Sequence, residues 1–394
     1  MNWRDAAARL DAFVRDELGC KGDIALHEPW LDGNEWNYVK DCLDSGWVSS
    51  VGKYVDRFEA EMAKVCGTRY GVAAVNGTAA LHLALTGLGA VRDDLVICPA
   101  LSFIGTANAI SYCGAEPLFM DIDATTLGLD AAALAEFLET ACEAGENGAI
   151  HRKSGRRIAA CVPVHVFGHP VDMDPVVDAC RAFGIAVLED AAESLGSRYK
   201  GRPCGALGRA AALSFNGNKV LTTGGGGMVV TDDEKLAKRL KHLSTTAKVP
   251  HAWQYHHDAV GFNYRLPNIN AALGCAQLES LDERLSLKRR LHERLAEIFR
   301  SFNDVVLFEP REWAECNHWL NAIFLPDQDS RNAFLEDTTA RGLHTRPCWD
   351  LLADLPIYAE APRSGDLAVA RDIVARAVTL PSSPQLMAGA AARE

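Results

Sequence analysis

The sequence predicts an α/β chain: a large domain with a mostly parallel central sheet and helices on both faces, followed by a smaller α+β domain. Three observations predict it. Short apolar runs alternate with helical patterns through the first two thirds of the chain, and near Leu266 that alternation gives way to longer, charge-rich helical patterns. The 394 residues are 48% hydrophobic and 23% charged, which is ordinary globular composition with ample material for a core. Alternation of this kind builds βαβ units. Their right-handed crossovers put the strand C-termini on one edge, where ligands bind.

Taken in order, the opening MNWRDAAARLDAFVRDEL has helical spacing and mixed charge, and is no signal peptide. Residues 79–90 (AALHLALTGLGA) read as a helix. Residues 95–115 carry no charge, but Pro99 and scattered Ser, Thr and Asn make a membrane span a poor reading; a buried strand, a loop and a buried helix fit better. EPLFMDI is a strand and AAALAEFLETACEAG a helix. IAACVPVHV is a strand, MDPVVDACRAFG a helix and IAVLED a strand. AALSFN and GGMVVTD add two more strands. After Pro267 one long helical segment runs to Phe302. Weaker signals follow in HWLNAIFL, RNAFLEDTTARGL and LAVARDIVARAV. The expected division is residues 1–270 for the N-terminal segment and large domain, and 271–394 for the small one.

The formal net charge of −12 argues against nucleic acid as a partner. Twelve cysteines lie between Cys20 and Cys348 without a C-x-x-C pair, as expected of reduced core residues in a cytoplasmic protein. The pair His256-His257 lacks partners at useful spacing, so no metal is expected.

Three stretches carry chemistry. In IAVLEDAAESLGS a strand ends in Glu189 and Asp190, which puts a carboxylate in the ligand crevice; a plain helix cap is the competing reading. In AVNGTAALHLAL the turn Asn76-Gly77-Thr78 opens a helix whose N-terminus can hold an anion or simply be capped. In SFNGNKVLTTGGGGMVV, Lys219 does not match a Walker loop, and the stretch is too short and too apolar at its ends for a linker. A half-buried lysine at a strand-to-turn junction remains, beside an exposed turn lysine as the bland alternative. Phosphate site, acidic strand end and lysine, in that order, suit pyridoxal phosphate bound across a parallel sheet.

These motifs, with SGWVSSVGKYVDRFEAEMAKVCGTRYGVAAVNGTAALHLAL and GFNYRLPNINAALGCAQLE, resemble the DegT/DnrJ/EryC1/StrS family of sugar-nucleotide aminotransferases over nearly the whole chain. The resemblance implies the fold-type I architecture of pyridoxal-phosphate enzymes and a homodimer with shared active sites. It implies pyridoxal 5'-phosphate in an internal aldimine on Lys219, with Asp190 pairing the ring nitrogen. Backbone amides after Gly77, at Thr78 and Ala79, would hold the phosphate with the Ser214 hydroxyl. Phe103 would stack on the ring, and Glu193 would lie near the cofactor hydroxyl. Asn263 would reach the neighbouring subunit's cofactor phosphate. Trp47, Val48 and Ser49 would lie near the sugar, Arg265 near the donor carboxylate or a diphosphate, and His344 and Arg346 are weaker substrate candidates. L-glutamate is the implied donor. Gly224 to Gly227, where many relatives read G-E-G-G, and Asn216-Gly217 resemble the subgroup that aminates C4 of a UDP-linked 4-keto-6-deoxy-N-acetylhexosamine for bacillosamine or legionaminic acid routes.

Overall fold

The computed structural model describes residues 3–391. Seven strands form the main path of the central sheet. They are β1 (Tyr70–Ala74), β2 (Leu95–Pro99), β3 (Glu116–Met120), β4 (Arg157–Cys161), β5 (Ala186–Asp190), β6 (Ala210–Ser214) and β7 (Gly227–Thr231). Their order is β1-β7-β6-β5-β4-β2-β3. The pairs β2–β3, β2–β4, β4–β5 and β5–β6 are parallel, whereas β7 runs antiparallel to both β6 and β1. The strands are almost wholly buried, as a sheet covered on both faces requires. The expected mostly parallel sheet is the one observed.

The first strand, β1, had no strand signal of its own. YGVAA is small and short, and its place is fixed by pairing along its whole length with β7, from Tyr70↔Thr231 to Ala74↔Gly227. The long helix expected after Pro267 is two helices, Asn268–Glu279 and Leu281–Phe299, which meet at Ser280 (φ −112, ψ 14). The break lets the chain change cores. Ala271, Ala272 and Cys275 pack in the cluster around the central sheet, while Leu287, Leu291 and Leu295 pack in another.

That other cluster also takes Leu10, Phe13 and Val14 from the chain start, against Val378 and Leu380 near its end. The sheet cluster in turn draws in Trp319, Leu351 and Ile373. The hydrophobic clusters therefore do not follow a cut at residue 270. A four-stranded antiparallel sheet lies in the C-terminal part, with Asn321–Phe324 flanked by Val306–Leu307 and Ala377–Leu380, and Arg346–Pro347 at its edge. The signal in LAVARDIVARAV divides into a helix, Ala368–Arg376, and the start of the strand Ala377–Leu380, which makes four successive pairings with Asn321–Phe324. All twelve cysteines are free and ten are buried. Among the described residues, no helix is long and apolar enough to cross a membrane.

Candidate active site

Four strand ends open onto one cavity of about 380 Å³, a size that suits a cofactor-scale ligand. After β1 come Asn76, Gly77 and Thr78; after β2, Ser102, Phe103 and Thr106. Asp190 closes β5, and Ser214 closes β6 ahead of the turn to Lys219. This convergence follows from the parallel topology, since strand C-termini share an edge.

Glu189 and Asp190 face opposite sides because successive strand residues do. Glu189 accepts from the amides of Gly205, Leu207 and Gly208 and pairs with buried His165, so it fastens a loop. Asp190 lines the cavity. Thr106 Oγ1 donates to its Oδ2 at 2.6 Å, and the Ala192 amide donates to its Oδ1 at 3.2 Å. Burial pushes the Asp190 carboxyl above the usual range, with the Thr106 bond pulling the other way. Thr106 was not anticipated. Its signal was a pair of hydroxyls four residues apart, Ser102 and Thr106, in an uncharged stretch; the two are 2.9 Å apart.

Lys219 stands on a tight turn, its amide donating to Asn216 O at 3.0 Å, with Phe215 and Thr223 bonded across the loop base. Its side chain is only 12% exposed, and Nζ lies 3.4 Å from Glu193 Oε1 and 3.7 Å from the centroid of the Trp319 ring. A cation over an indole face is an attractive arrangement, strengthened by burial. Glu193 Oε2 accepts from the Phe167 amide at 2.8 Å, which holds Phe167 at φ 56. Burial raises the Glu193 carboxyl to about 7, against the opposing pull of Lys219. Trp319 and Trp349 both line the cavity, from parts of the chain a hundred or more residues past Lys219, and no local pattern marked them.

At the helix Gly77–Leu88, Asn76 is the cap: its Oδ1 accepts from the Ala79 amide at 2.8 Å. The expected use of Ala79 as a phosphate donor therefore meets an amide already engaged, and Ala79 is not among the cavity residues. The amides of Gly77 and Thr78, in the first turn, have no carbonyl behind them to bond. A Cβ at Gly77 would lie 2.8 Å from Ser214 Cβ, so glycine keeps this cradle open. The residues fit pyridoxal phosphate: an amine for its aldehyde, a carboxylate for its ring nitrogen, and amides with a hydroxyl for its phosphate.

The remaining expected residues lie elsewhere. Asn263 is exposed, in a bridge with Thr245. Trp47, Val48 and Ser49 are exposed on a segment stapled by Asn268, which donates from its side chain to Trp47 O at 2.7 Å and from its backbone to Ser49 O at 2.6 Å. Arg265 is half-buried with Nε lacking a hydrogen-bond partner. Arg346 lines an adjoining cavity that shares Phe103, Asn218, Trp319 and Trp349 with the first. His344 faces Asp23 at 3.8 Å instead.

An amine poised beside a buried carboxylic acid, in one cavity with a second carboxylate and a helix N-terminus, serves imine chemistry on an aldehyde cofactor. The class so defined is the fold-type I pyridoxal-phosphate aminotransferases. The chain belongs to the DegT/DnrJ/EryC1/StrS aminotransferase family, whose model matches residues 29–393. It is 37% identical to a GDP-perosamine synthase of Caulobacter vibrioides, covering 91% of this chain and 93% of that one. It is 36% identical to a GDP-perosamine synthase of Escherichia coli O157:H7, covering 92% and 94%. The structure matches that of the aminotransferase TlmJ of Streptoalloteichus hindustanus with a TM-score of 0.83 at 28% identity, covering 95% and 100%. The protein is an aminotransferase, and its cofactor is pyridoxal 5'-phosphate.

Proposed function

We propose that the enzyme moves the amino group of L-glutamate to the C4 keto group of a nucleotide-linked 4-keto-6-deoxy sugar, working as a homodimer with shared active sites. The observation that carries this reading is Lys219 Nζ, held between Glu193 and Trp319 in the cavity that Asp190 also lines. Bound pyridoxal phosphate would supply an aldehyde that takes up amino groups and a ring that accepts the electron pair left by a departing proton.

Lys219 would hold the cofactor and then carry a proton between the donor's α-carbon and the cofactor; positioned acid–base groups contribute about 10² to 10⁴ in rate. Asp190 would keep a proton on the ring nitrogen, with Thr106 fixing the carboxylate. The Gly77 and Thr78 amides and the Ser214 hydroxyl would bind the phosphate, and Phe103 would cover one ring face. Asn263 and the segment Trp47–Ser49, exposed and outside their own chain's cavity, would act at the partner's site. Arg265, with its unsatisfied Nε, and Arg346, beside the adjoining cavity, suit the anionic groups of the donor and the nucleotide.

The relatives named above favour GDP as the nucleotide. A UDP-linked N-acetyl sugar is the second reading, favoured by Asn216-Gly217 and the run Gly224 to Gly227. The test is incubation with glutamate and GDP-, UDP- and dTDP-linked 4-keto-6-deoxy sugars, with products weighed by mass spectrometry. An aminated GDP sugar supports the first reading and an aminated UDP N-acetyl sugar the second. No amination of any of them by cofactor-loaded enzyme refutes both.

A further inference from the structure

Behind the Trp319 side of the active site, two imidazoles and a thiol converge where the aminotransferase reaction has no use for them. One candidate ligand atom from each of His169, Cys316 and His318 lies within 4.8 Å of the other two. The three residues are 3%, 9% and 5% exposed, so none is a surface ligand by accident. None of the three lines the cavity that holds Lys219.

A second observation points to a ligand. His318 Nδ1 is buried and has no hydrogen-bond partner. An orphaned buried nitrogen costs free energy unless something satisfies it. His318 also sits at φ 50, a conformation unfavourable for a residue with a side chain, so its backbone is held there by the surrounding fold. The neighbouring His292 stacks on it at 3.8 Å between ring centroids and is itself tied to Asn321 Oδ1. Burial keeps both His169 and His318 below the usual histidine range, so they are neutral rings with lone pairs to offer.

We propose that His169, Cys316 and His318 form a buried site for one zinc ion, with two nitrogen ligands and one sulfur ligand from this chain. The ligand chemistry suits zinc: imidazole and thiolate with no carboxylate. Around tetrahedral zinc such atoms lie about 3.3–3.7 Å apart, so binding asks the cluster to close by no more than roughly 1.5 Å. Cys316 is a thiol in the free site, its burial pushing it up to about 12. Binding therefore breaks the S–H bond, forms a zinc–sulfur bond and releases one proton to solvent.

The role is structural. Asn317, between two of the ligands, donates from Nδ2 to Glu193 O at 2.8 Å and Leu195 O at 2.9 Å. Trp319, the next residue after the cluster, lies against Lys219. His169 follows Gly168, whose carbonyl accepts from Ser197 Oγ at 2.7 Å. A metal here would clamp the two loops that shape one wall of the active site. This inference does not depend on which sugar the enzyme aminates.

The test uses the full-length, cofactor-loaded enzyme. It is dialysed against zinc, stripped of loose metal on a chelating resin and assayed for metal content. About one zinc per chain is expected, falling to under a tenth in Cys316→Ser and in His318→Gln, and unchanged in the surface variant His256→Gln/His257→Gln. Wild type without zinc, or Cys316→Ser with as much zinc as wild type, overturns the proposal, as does loss of zinc in the surface variant. Should the cluster variants not fold, the wild-type protein still decides. Zinc is expected to slow alkylation of Cys316 in moderate urea at least tenfold, by peptide mass spectrometry, and to raise Tm. Equal alkylation rates with and without zinc overturn the site.

Discussion

The Thr106 hydroxyl is the one side chain that donates to Asp190 among the described residues, and it does so in a place sealed from water. A hydrogen bond to a buried charge is worth about 1.5–3 kcal/mol, and losing it leaves the carboxylate less able to stay ionised. Thr106→Val is therefore expected to lower kcat about tenfold and to move the acid limb of the kcat profile to higher pH, as read by steady-state rates from pH 5 to 9. Glu193 gives a second residue-scale prediction. Its carboxyl is held at about 7 in the fold against an ordinary 4.5, so the folded protein binds that proton more tightly than the unfolded chain does. The stability this contributes is complete below about pH 4.5 and is lost as pH rises through about 7. In cofactor-free enzyme, the stability of wild type relative to Glu193→Gln should fall by about 2–3 kcal/mol between pH 5 and 8. Urea midpoints measure this, and a constant difference would show that Glu193 does not titrate there.

The turn from β6 to β7 shows what an element demands of individual glycines. A Cβ at Gly227 would collide with the carbonyl of Asn76 and lie 2.8 Å from the Gly77 amide nitrogen, so this strand start presses directly on the helix that caps the cavity. Nothing lies within 4 Å of a Cβ at Gly225, the place where relatives of the G-E-G-G type carry glutamate. Gly225→Glu should fold with a Tm within about 2 °C of wild type, since its side chain enters open space and displaces no packed neighbour, and such substitutions rarely exceed about 0.5 kcal/mol. Gly227→Ala should lose about 2 kcal/mol or more and bind the cofactor weakly, seen by calorimetry and visible absorbance. The strands of this region were legible because they are short apolar runs between turn residues. The break at Ser280 was harder to read, because the helical period continues across it. A capping-box pattern, Ser280 to Glu283, was there to be seen, although the Ser280 side chain makes no cap bond.

Across the whole molecule, the cavity is closed by tryptophans from the C-terminal third and lacks Asn263 and Trp47 from its own chain. The segment 262–264 nevertheless lies along the end of β1, with the Val75 amide donating to Tyr264 O at 2.9 Å, so it is fixed rather than loose. If Asn263 serves the partner's cofactor, mixed dimers of Lys219→Ala and Asn263→Ala chains contain one intact site. Activity should then reappear on mixing two inactive proteins, to about half the wild-type value per mixed dimer. No recovery, with mixed dimers confirmed by native mass spectrometry, would place Asn263 in its own chain's site.

Lys219, Asp190 and the Asn76-Gly77-Thr78 turn were readable because each sits where a local pattern ends. An apolar run stops, a turn begins, and a parallel sheet then gathers those ends on one edge. The sequence thus determined by itself the class of fold, the lysine and acid of the cavity, and the order in which they occur. The tertiary structure decided which of Glu189 and Asp190 faces the cavity, and that Trp319, Trp349 and the His169–Cys316–His318 cluster stand where they do. Those facts depend on contacts between segments a hundred or more residues apart, or on which way a pleat turns. Spacing along a chain carries no record of either.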